Sequence, residues 1–155
     1  MNPLAGPLSA LHRGAADLPF VSASEGYEFQ LPHIDVAQGL WVIHSRLAPG
    51  LTFTRHRHTG PVLGFTRAGC WRYREQGVDY TAGTYVFEPA GSVHTFATLD
   101  DVEETTDVWF AIWGANLQLD ADDEIVGVTD ASSILAQYLG LCEEQGFARP
   151  SIIGV

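Results

Sequence analysis

Between residues 38 and about 118 the chain is cut into short apolar runs by glycine and proline at near-regular intervals. The runs are Leu40-Trp41-Val42-Ile43, Thr52-Phe53-Thr54, Val62 to Thr66, Trp71-Arg72-Tyr73, Tyr85-Val86-Phe87 and Val108 to Trp113. Pro49-Gly50, Ala68-Gly69, Gln76-Gly77, Ala82-Gly83 and Ala90-Gly91 separate them. β-Branched and aromatic residues dominate the runs. Short strands at this spacing predict an all-β sandwich or barrel.

The flanks differ. Residues 1–36 are rich in Ala, Pro, Gly and Ser with scattered hydrophobes, which predicts an irregular N-terminal arm with one strand. In residues 130–146, Ile134, Leu135, Tyr138, Leu141 and Cys142 recur at helical spacing, with Asp130 as the N-cap and Gly146 as the stop. The expected organisation is an arm over 1–36, a β-barrel over 37–128, and a helix with its tail over 129–155, together one domain. At 155 residues the chain is long enough for a real core.

Charge narrows the function classes. Eight basic residues, all arginine, oppose 19 acids, so the formal net charge is −11. Such a chain is repelled by phosphate backbones and anionic membrane surfaces, which argues against nucleic-acid or membrane partners. Two cysteines make no disulfide framework, no apolar run approaches a bilayer span, and the first thirty residues lack a signal-peptide stretch. The expected setting is cytoplasmic.

The histidines carry the chemistry. On a strand running through Thr54-Arg55-His56-Arg57-His58, His56 and His58 share one face while Arg55 and Arg57 take the other. Two imidazoles so placed can converge on one metal ion. A solvent-facing pair at a strand end fits the same dipeptide spacing. The segment Gly83-Thr84-Tyr85-Val86-Phe87-Glu88-Pro89-Ala90-Gly91-Ser92-Val93-His94 shifts the balance. Gly83 permits a turn into a strand, Pro89 and Gly91 make a tight turn, and His94 opens the returning strand. Three imidazoles from two strand pairs can cap one face of a metal and leave positions for substrate and oxygen.

His56-x-His58 followed by Gly83-x5-Pro89-x-Gly91-x2-His94 resembles the two signature motifs of the cupin superfamily, with Gly50 and Gly69 where the first motif has its glycines. The resemblance implies an antiparallel jelly-roll barrel holding one metal through His56, His58 and His94. It also implies self-association as a homodimer or homotetramer, through the N-terminal arm. One departure is evident. Cupins commonly carry a glutamate ligand after three or four residues intervening beyond the second histidine, where this chain has Val62 and Leu63. The expected site is therefore three histidines plus water or substrate.

A narrower resemblance rests on Arg55 to Val62, Trp71-Arg72-Tyr73 and Ala82 to Thr95, which are similar to the 2,4'-dihydroxyacetophenone dioxygenase family. That resemblance implies ferrous iron, O₂ and a small aromatic substrate, and cleavage between an aryl ketone carbonyl and its hydroxymethyl carbon to give 4-hydroxybenzoate and formate. Three imidazoles also suit zinc, nickel, copper or manganese. The substrate pocket expected from this reading contains Trp71, Tyr73, Val62 and Phe96. Trp71 and Tyr73 fit barrel core equally well. Trp109 and Trp113 share a strand face and read as core packing.

Glu88 interrupts an apolar strand just before Pro89. It can orient a ligand histidine, act as the base that deprotonates substrate, or pair with Arg55 or Arg57 outside the barrel. It is the candidate catalytic residue. His44 reads as a structural histidine with its polar atoms satisfied. Besides the dioxygenase, two alternatives fit these residues: a non-catalytic metal-binding sensor with a closed site, and a metal-dependent isomerase that consumes no oxygen.

Overall fold

The computed structural model describes residues 9–155. Among the described residues there are thirteen strands and one helix. The strands are β1 (Val21–Ser24), β2 (Tyr27–Asp35), β3 (Leu40–Leu47), β4 (His56–His58), β5 (Val62–Ala68), β6 (Cys70–Tyr73) and β7 (Asp79–Thr81). They continue as β8 (Tyr85–Glu88), β9 (Val93–His94), β10 (Phe96–Thr98), β11 (Thr106–Trp113), β12 (Asn116–Leu119) and β13 (Ile125–Thr129), before α1 (Ala131–Glu144). A six-stranded sheet in the order β1-β2-β3-β11-β5-β8 forms one wall. The opposite wall comprises a three-stranded sheet, β10-β6-β7, and a four-stranded one, β13-β12-β4-β9. Every strand pair is antiparallel. This is the jelly-roll barrel that the spacing of runs and turns predicts.

Alternation decides what faces the interior. On β5, Val62, Gly64 and Thr66 are buried while Leu63, Phe65 and Arg67 are exposed. On β11, Val108 and Ile112 are buried on the inner face, where Phe110 also packs. Gly64 makes room for that ring: a Cβ there would meet Phe110 at 2.7 Å. Two apolar clusters fill the ends of the barrel. One gathers Phe29, Leu31, Ile34, Trp41 and Ile112 under α1, and the other gathers Leu47, Trp71, Tyr73, Phe96 and Val108.

The helix starts where the sequence places it. The Asp130 carboxylate accepts from the Ser133 N–H, and the Ser133 hydroxyl accepts from the Asp130 N–H, a reciprocal capping box. Ala131, Ile134, Tyr138 and Cys142 form its buried stripe. No helix is long and apolar enough to cross a membrane among the described residues. Cys70 and Cys142 are buried free thiols.

Two expectations are corrected here. The segment read as an irregular arm with one strand carries two, because β1 pairs with β2 and β2 pairs with β3 along the six-stranded sheet. Pro32 lies in β2, where the register shifts between Gln30 and His33, so the missing N–H falls at a bulge. Trp109 and Trp113 lie on the outer face of β11 and are only half-buried, with Trp109 stacked on His44 at 4.2 Å between ring centroids. Alternation puts Val108, Phe110 and Ile112 inside, so the tryptophans cover the sheet rather than fill it. His44 itself is buried between Gln30 and Asp107, with both ring nitrogens hydrogen-bonded.

Candidate metal centre

Three histidines meet inside the barrel. His56 and His94 are directly opposed across the β4–β9 pair, and His58 follows two residues along β4 on the same face. The turn between β8 and β9 is tied to β4: the His58 N–H donates to the Ser92 carbonyl at 3.0 Å, and the Gly91 N–H donates to the His58 carbonyl at 2.7 Å. Gly91 has φ +87°, a backbone angle that glycine adopts freely. The turn thus holds His94 in register with the other two.

Their Nε2 atoms converge. His56 Nε2 lies 3.2 Å from His58 Nε2, and His58 Nε2 lies 3.0 Å from His94 Nε2. Ligands about 2.1 Å from a metal and at right angles are roughly 3.0 Å apart. Two of the separations therefore match neighbouring ligands of one ion, and the ligand atoms of all three histidines lie within 4.8 Å of one another. His56 Nδ1 is 3.0 Å from the Thr54 carbonyl, which can only accept. Its proton is therefore on Nδ1, and Nε2 presents a lone pair to the centre.

Glu88 adds a carboxylate. Its Oε2 lies 2.8 Å from His58 Nε2 and 3.3 Å from His94 Nε2. That oxygen is buried and, among the described residues, is approached only by these two imidazoles, while Oε1 accepts from the Tyr73 hydroxyl. A ring of imidazole nitrogens with a buried carboxylate oxygen beside it is a donor set that suits a divalent cation. The absence of a glutamate after His58 is thereby offset across the sheet. Val62 occupies that position, and the residue directly opposite Val62 on β8 is Glu88. Of the alternatives for Glu88, the one beside the ligand histidines is where the structure places it, and pairing with Arg55 or Arg57 outside the barrel is corrected. Glu88 points inward by alternation, and Arg55 pairs with Asp123.

Burial and these contacts shift the protonation of the site. Burial, reinforced by the neighbouring His58 and His94, holds the His56 imidazole down at about 4, although its bond to Thr54 opposes this. Burial pushes the Glu88 carboxyl up, but bonds to His58 and His94 outweigh it and hold the group at about 2. Burial and the Glu88 charge drive the Tyr73 hydroxyl well above its ordinary range. The stability of the metal-free protein should fall with acid. The unfolded chain takes up a proton at His56 below about 6.5 that the folded chain refuses until about 4. Glu88 stability is in place above 4.5 and is lost toward 2. At about 1.4 kcal/mol per pH unit, the His56 contribution approaches about 3 kcal/mol. Urea unfolding of the metal-free protein at pH 7 and pH 5 reads about 2 kcal/mol of it, and equal midpoints at equal slope would contradict the burial of a neutral His56.

A cavity of about 280 Å³ adjoins the triad. Trp41, Ile43, Phe53, Val62, Phe96, Phe110 and Ile112 give it apolar walls, and no lysine or arginine is among its lining residues. Tyr27 and Ser45 also line it; burial, partly opposed by a hydrogen bond to Ser45, pushes the Tyr27 hydroxyl up to about 12. A polar edge is made by Asn116, Gln118, Thr129 and Gln137.

Residues 10–111 match the family of the ChrR cupin-like domain. The chain belongs to the ChrR cupin-like family. Among solved structures, this ChrR-like cupin is similar to a Ralstonia eutropha protein of unknown function with a cupin-like fold, at 33% identity and a TM-score of 0.89, covering 98% of this chain and 96% of that one. An RmlC-like cupin from the same organism is 25% identical with a TM-score of 0.86, covering 94% and 95%. An acetylacetone dioxygenase from Acinetobacter johnsonii shares the fold at 18% identity and a TM-score of 0.72, covering 91% and 97%. No curated protein matches the chain.

Of the pocket residues expected from the sequence, Tyr73, Val62 and Phe96 line the cavity of this cupin, and Trp71 does not. Trp71 is fully buried behind Phe96, stacked on it at 4.7 Å, with its Nε1 donating to Thr66 Oγ1 at 2.8 Å. It is core, and its correction follows from depth: alternation gives a side chain's face, not its distance from the cavity. Tyr73 stacks on His94 at 3.7 Å between centroids. Asn116 and Gln118 were not expected in the site. They lie opposite His58 and His56 on β12, and their two-residue spacing around Leu117 is the signal that could have found them.

Proposed function

We propose that the chain is a mononuclear non-haem Fe(II) dioxygenase that cleaves a carbon–carbon bond in a small neutral ketone with a second oxygen at chelating distance. An aryl α-hydroxyketone of the 2,4'-dihydroxyacetophenone kind is the first candidate. The observation that carries this reading is the pairing of three convergent Nε2 atoms with an apolar, aromatic cavity that has no cationic lining residue. A carboxylate substrate would find no arginine or lysine there, whereas a neutral chelator would find rings to pack against. Acetylacetone, named for the structurally similar Acinetobacter enzyme, is likewise a neutral compound with two ketone oxygens.

His56, His58 and His94 would hold the iron, which supplies activation of O₂ to the site when bound. Glu88 Oε2 is the group that takes a proton from the substrate as the two oxygens engage. The Tyr73 hydroxyl donates to Oε1 and keeps that carboxylate aimed inward. Phe96 and Phe110 flank the substrate ring and exclude water. Asn116 and Gln118 offer amide groups to its polar substituent.

Glu88 also favours a second reading. A carboxylate 2.8 Å from His58 Nε2 can complete a closed four-ligand zinc site, as a sensor of ligand or oxidant would use. Anaerobic loading with ferrous iron, followed by an oxygen electrode, separates the two. The enzyme consumes oxygen with 2,4'-dihydroxyacetophenone, a close analogue or acetylacetone. No uptake with any of them, in protein carrying one iron per chain, removes the dioxygenase reading for these substrates and leaves the sensor and the isomerase.

A further inference from the structure

Two of the ligand rings differ at the nitrogen that faces away from the centre. A neutral imidazole carries one N–H, so a histidine that gives its Nε2 lone pair to a metal must hold its proton on Nδ1. His56 sets that proton against the Thr54 carbonyl. His58 is more deeply buried, and its Nδ1 has no hydrogen-bond partner among the described residues. A buried donor left unpaired disfavours the tautomer that a metal needs.

The sheet puts two polar side chains beside His58. β4 lies between β12 and β9. Asn116 stands directly opposite His58 on β12. On the other side Ser92 continues the β4–β9 register, its carbonyl accepting from the His58 N–H. Opposed residues of paired strands share a face. Asn116 Oδ1 and Ser92 Oγ are, like His58 Nδ1, buried without a hydrogen-bond partner. Three unsatisfied polar atoms therefore belong to one row of residues across three strands.

Register separates the two neighbours. The Thr59 N–H donates to the Ala115 carbonyl at 2.9 Å, which makes 59 and 115 a hydrogen-bonded pair. His58 and Asn116, next along the ladder, are then a non-hydrogen-bonded pair, with Cα atoms about 4.5 Å apart and side chains at their closest. The His58–Ser92 side carries the backbone bonds, where the spacing is about 5.5 Å. Asparagine also reaches one atom further than serine. Its Oδ1 can only accept, whereas a hydroxyl can turn to donate elsewhere.

We propose that Asn116 is a positioning residue of the metal centre: its Oδ1 accepts the Nδ1–H of His58 and so keeps the Nε2 lone pair aimed at the ion. At the Cβ separation of opposed residues, about 4.5–5.5 Å, side-chain rotation alone closes this bond. The inference rests on the reading of the triad as a metal centre and is independent of the reaction carried out there. Asn116 also lines the cavity. With Oδ1 turned to His58, its amide N–H is the end left for a bound molecule.

Titration of the metal-free chain with Zn(II), in competition with a chromophoric chelator, tests this without any assay of activity. Circular dichroism checks the fold of each variant. Asn116→Leu should bind zinc about 10–100-fold more weakly, the usual loss when the partner of a ligand histidine is removed. Asn116→Asp should bind at least as tightly as the native chain, because a carboxylate accepts the same proton and raises the basicity of the ring. A merely structural asparagine would not be replaced so well by a buried charge. Ser92→Ala should match the native chain. The proposal is overturned if Asn116→Leu keeps native affinity, if Asn116→Asp is as weak as Asn116→Leu, or if the loss falls on Ser92→Ala instead. A native chain that binds no zinc is a different failure, since it removes the triad as a metal centre and this inference with it. Should the Asn116 variants fail to fold, long-range ¹H–¹⁵N spectra of the zinc-loaded native chain decide. They should place the His58 proton on Nδ1, with a nuclear Overhauser contact to the Asn116 side-chain amide. A contact to Ser92 alone, or to neither, overturns the proposal.

Discussion

The His94→Ala protein is expected to fold and to lose its metal. His94 is buried, stacked on Tyr73, and 3.0 Å from His58 Nε2, so its ring supplies one of three converging nitrogens. Residues one shell further from a metal cost about 10–100-fold in affinity when changed, and a ligand itself should cost at least the upper figure. The backbone that positions His94 does not depend on the ring. The Pro89–Ser92 turn is held by its bonds to His58, and β9 pairs with β4 through main-chain groups. Metal content by plasma emission after dialysis, with circular dichroism beside it, measures both halves. Full occupancy in a folded His94→Ala protein would remove His94 from the site. Oxygen uptake, if the dioxygenase reading holds, should vanish with the metal. The same substitution at His56 should act alike, although the His56 ring is only half-buried and its loss should disturb packing less.

Where the sequence was legible, one local rule was enough. The two-residue spacing of His56 and His58 fixes a shared face whatever the rest of the chain does. The Pro89-x-Gly91 turn then needs only to return the chain for His94 to arrive beside them. The helix is equally local: Asp130, Ser133 and a stripe of apolar residues are read within one stretch. What stayed hidden depends on partners far along the chain. Glu88 replaces the missing carboxylate because β5 and β8 pair with Val62 opposite Glu88, a register that neither strand states alone. β2 was obscured by Pro32, whose place at a bulge exists only once β3 is alongside. β12 reads as a polar stretch, Asn116-Leu117-Gln118-Leu119, because its polar residues line the cavity edge rather than meet bulk water. Trp71 and Tyr73 share a face, yet one is core and the other touches the cavity. The distinction is set by Phe96, which lies between Trp71 and the space.

Glu88→Gln is the substitution that separates the chemistry of the site from its metal. The amide keeps the shape and the oxygen that accepts from Tyr73, but it cannot take up a proton at Oε2. If Glu88 serves as base, the iron-loaded variant should keep its metal and lose about 10²–10⁴-fold in turnover, the usual contribution of a positioned base. Substrate binding should change little, because the aromatic walls and the three imidazoles are untouched, so the loss should fall on kcat rather than KM. If the carboxylate is instead a fourth ligand, the amide donates poorly and metal affinity drops by at least tenfold, with any activity following the metal. Titration of the metal-free variant with Fe(II) and Zn(II), run beside steady-state oxygen uptake, reads the two quantities separately. Retained metal with unchanged turnover would assign Glu88 to holding His58 and Tyr73 in place, and would leave the proton without a protein acceptor. The Tyr73→Phe protein then sharpens the result. Its ring still stacks on His94, so a loss of turnover there, with metal retained, traces to the hydroxyl that aims the Glu88 carboxylate.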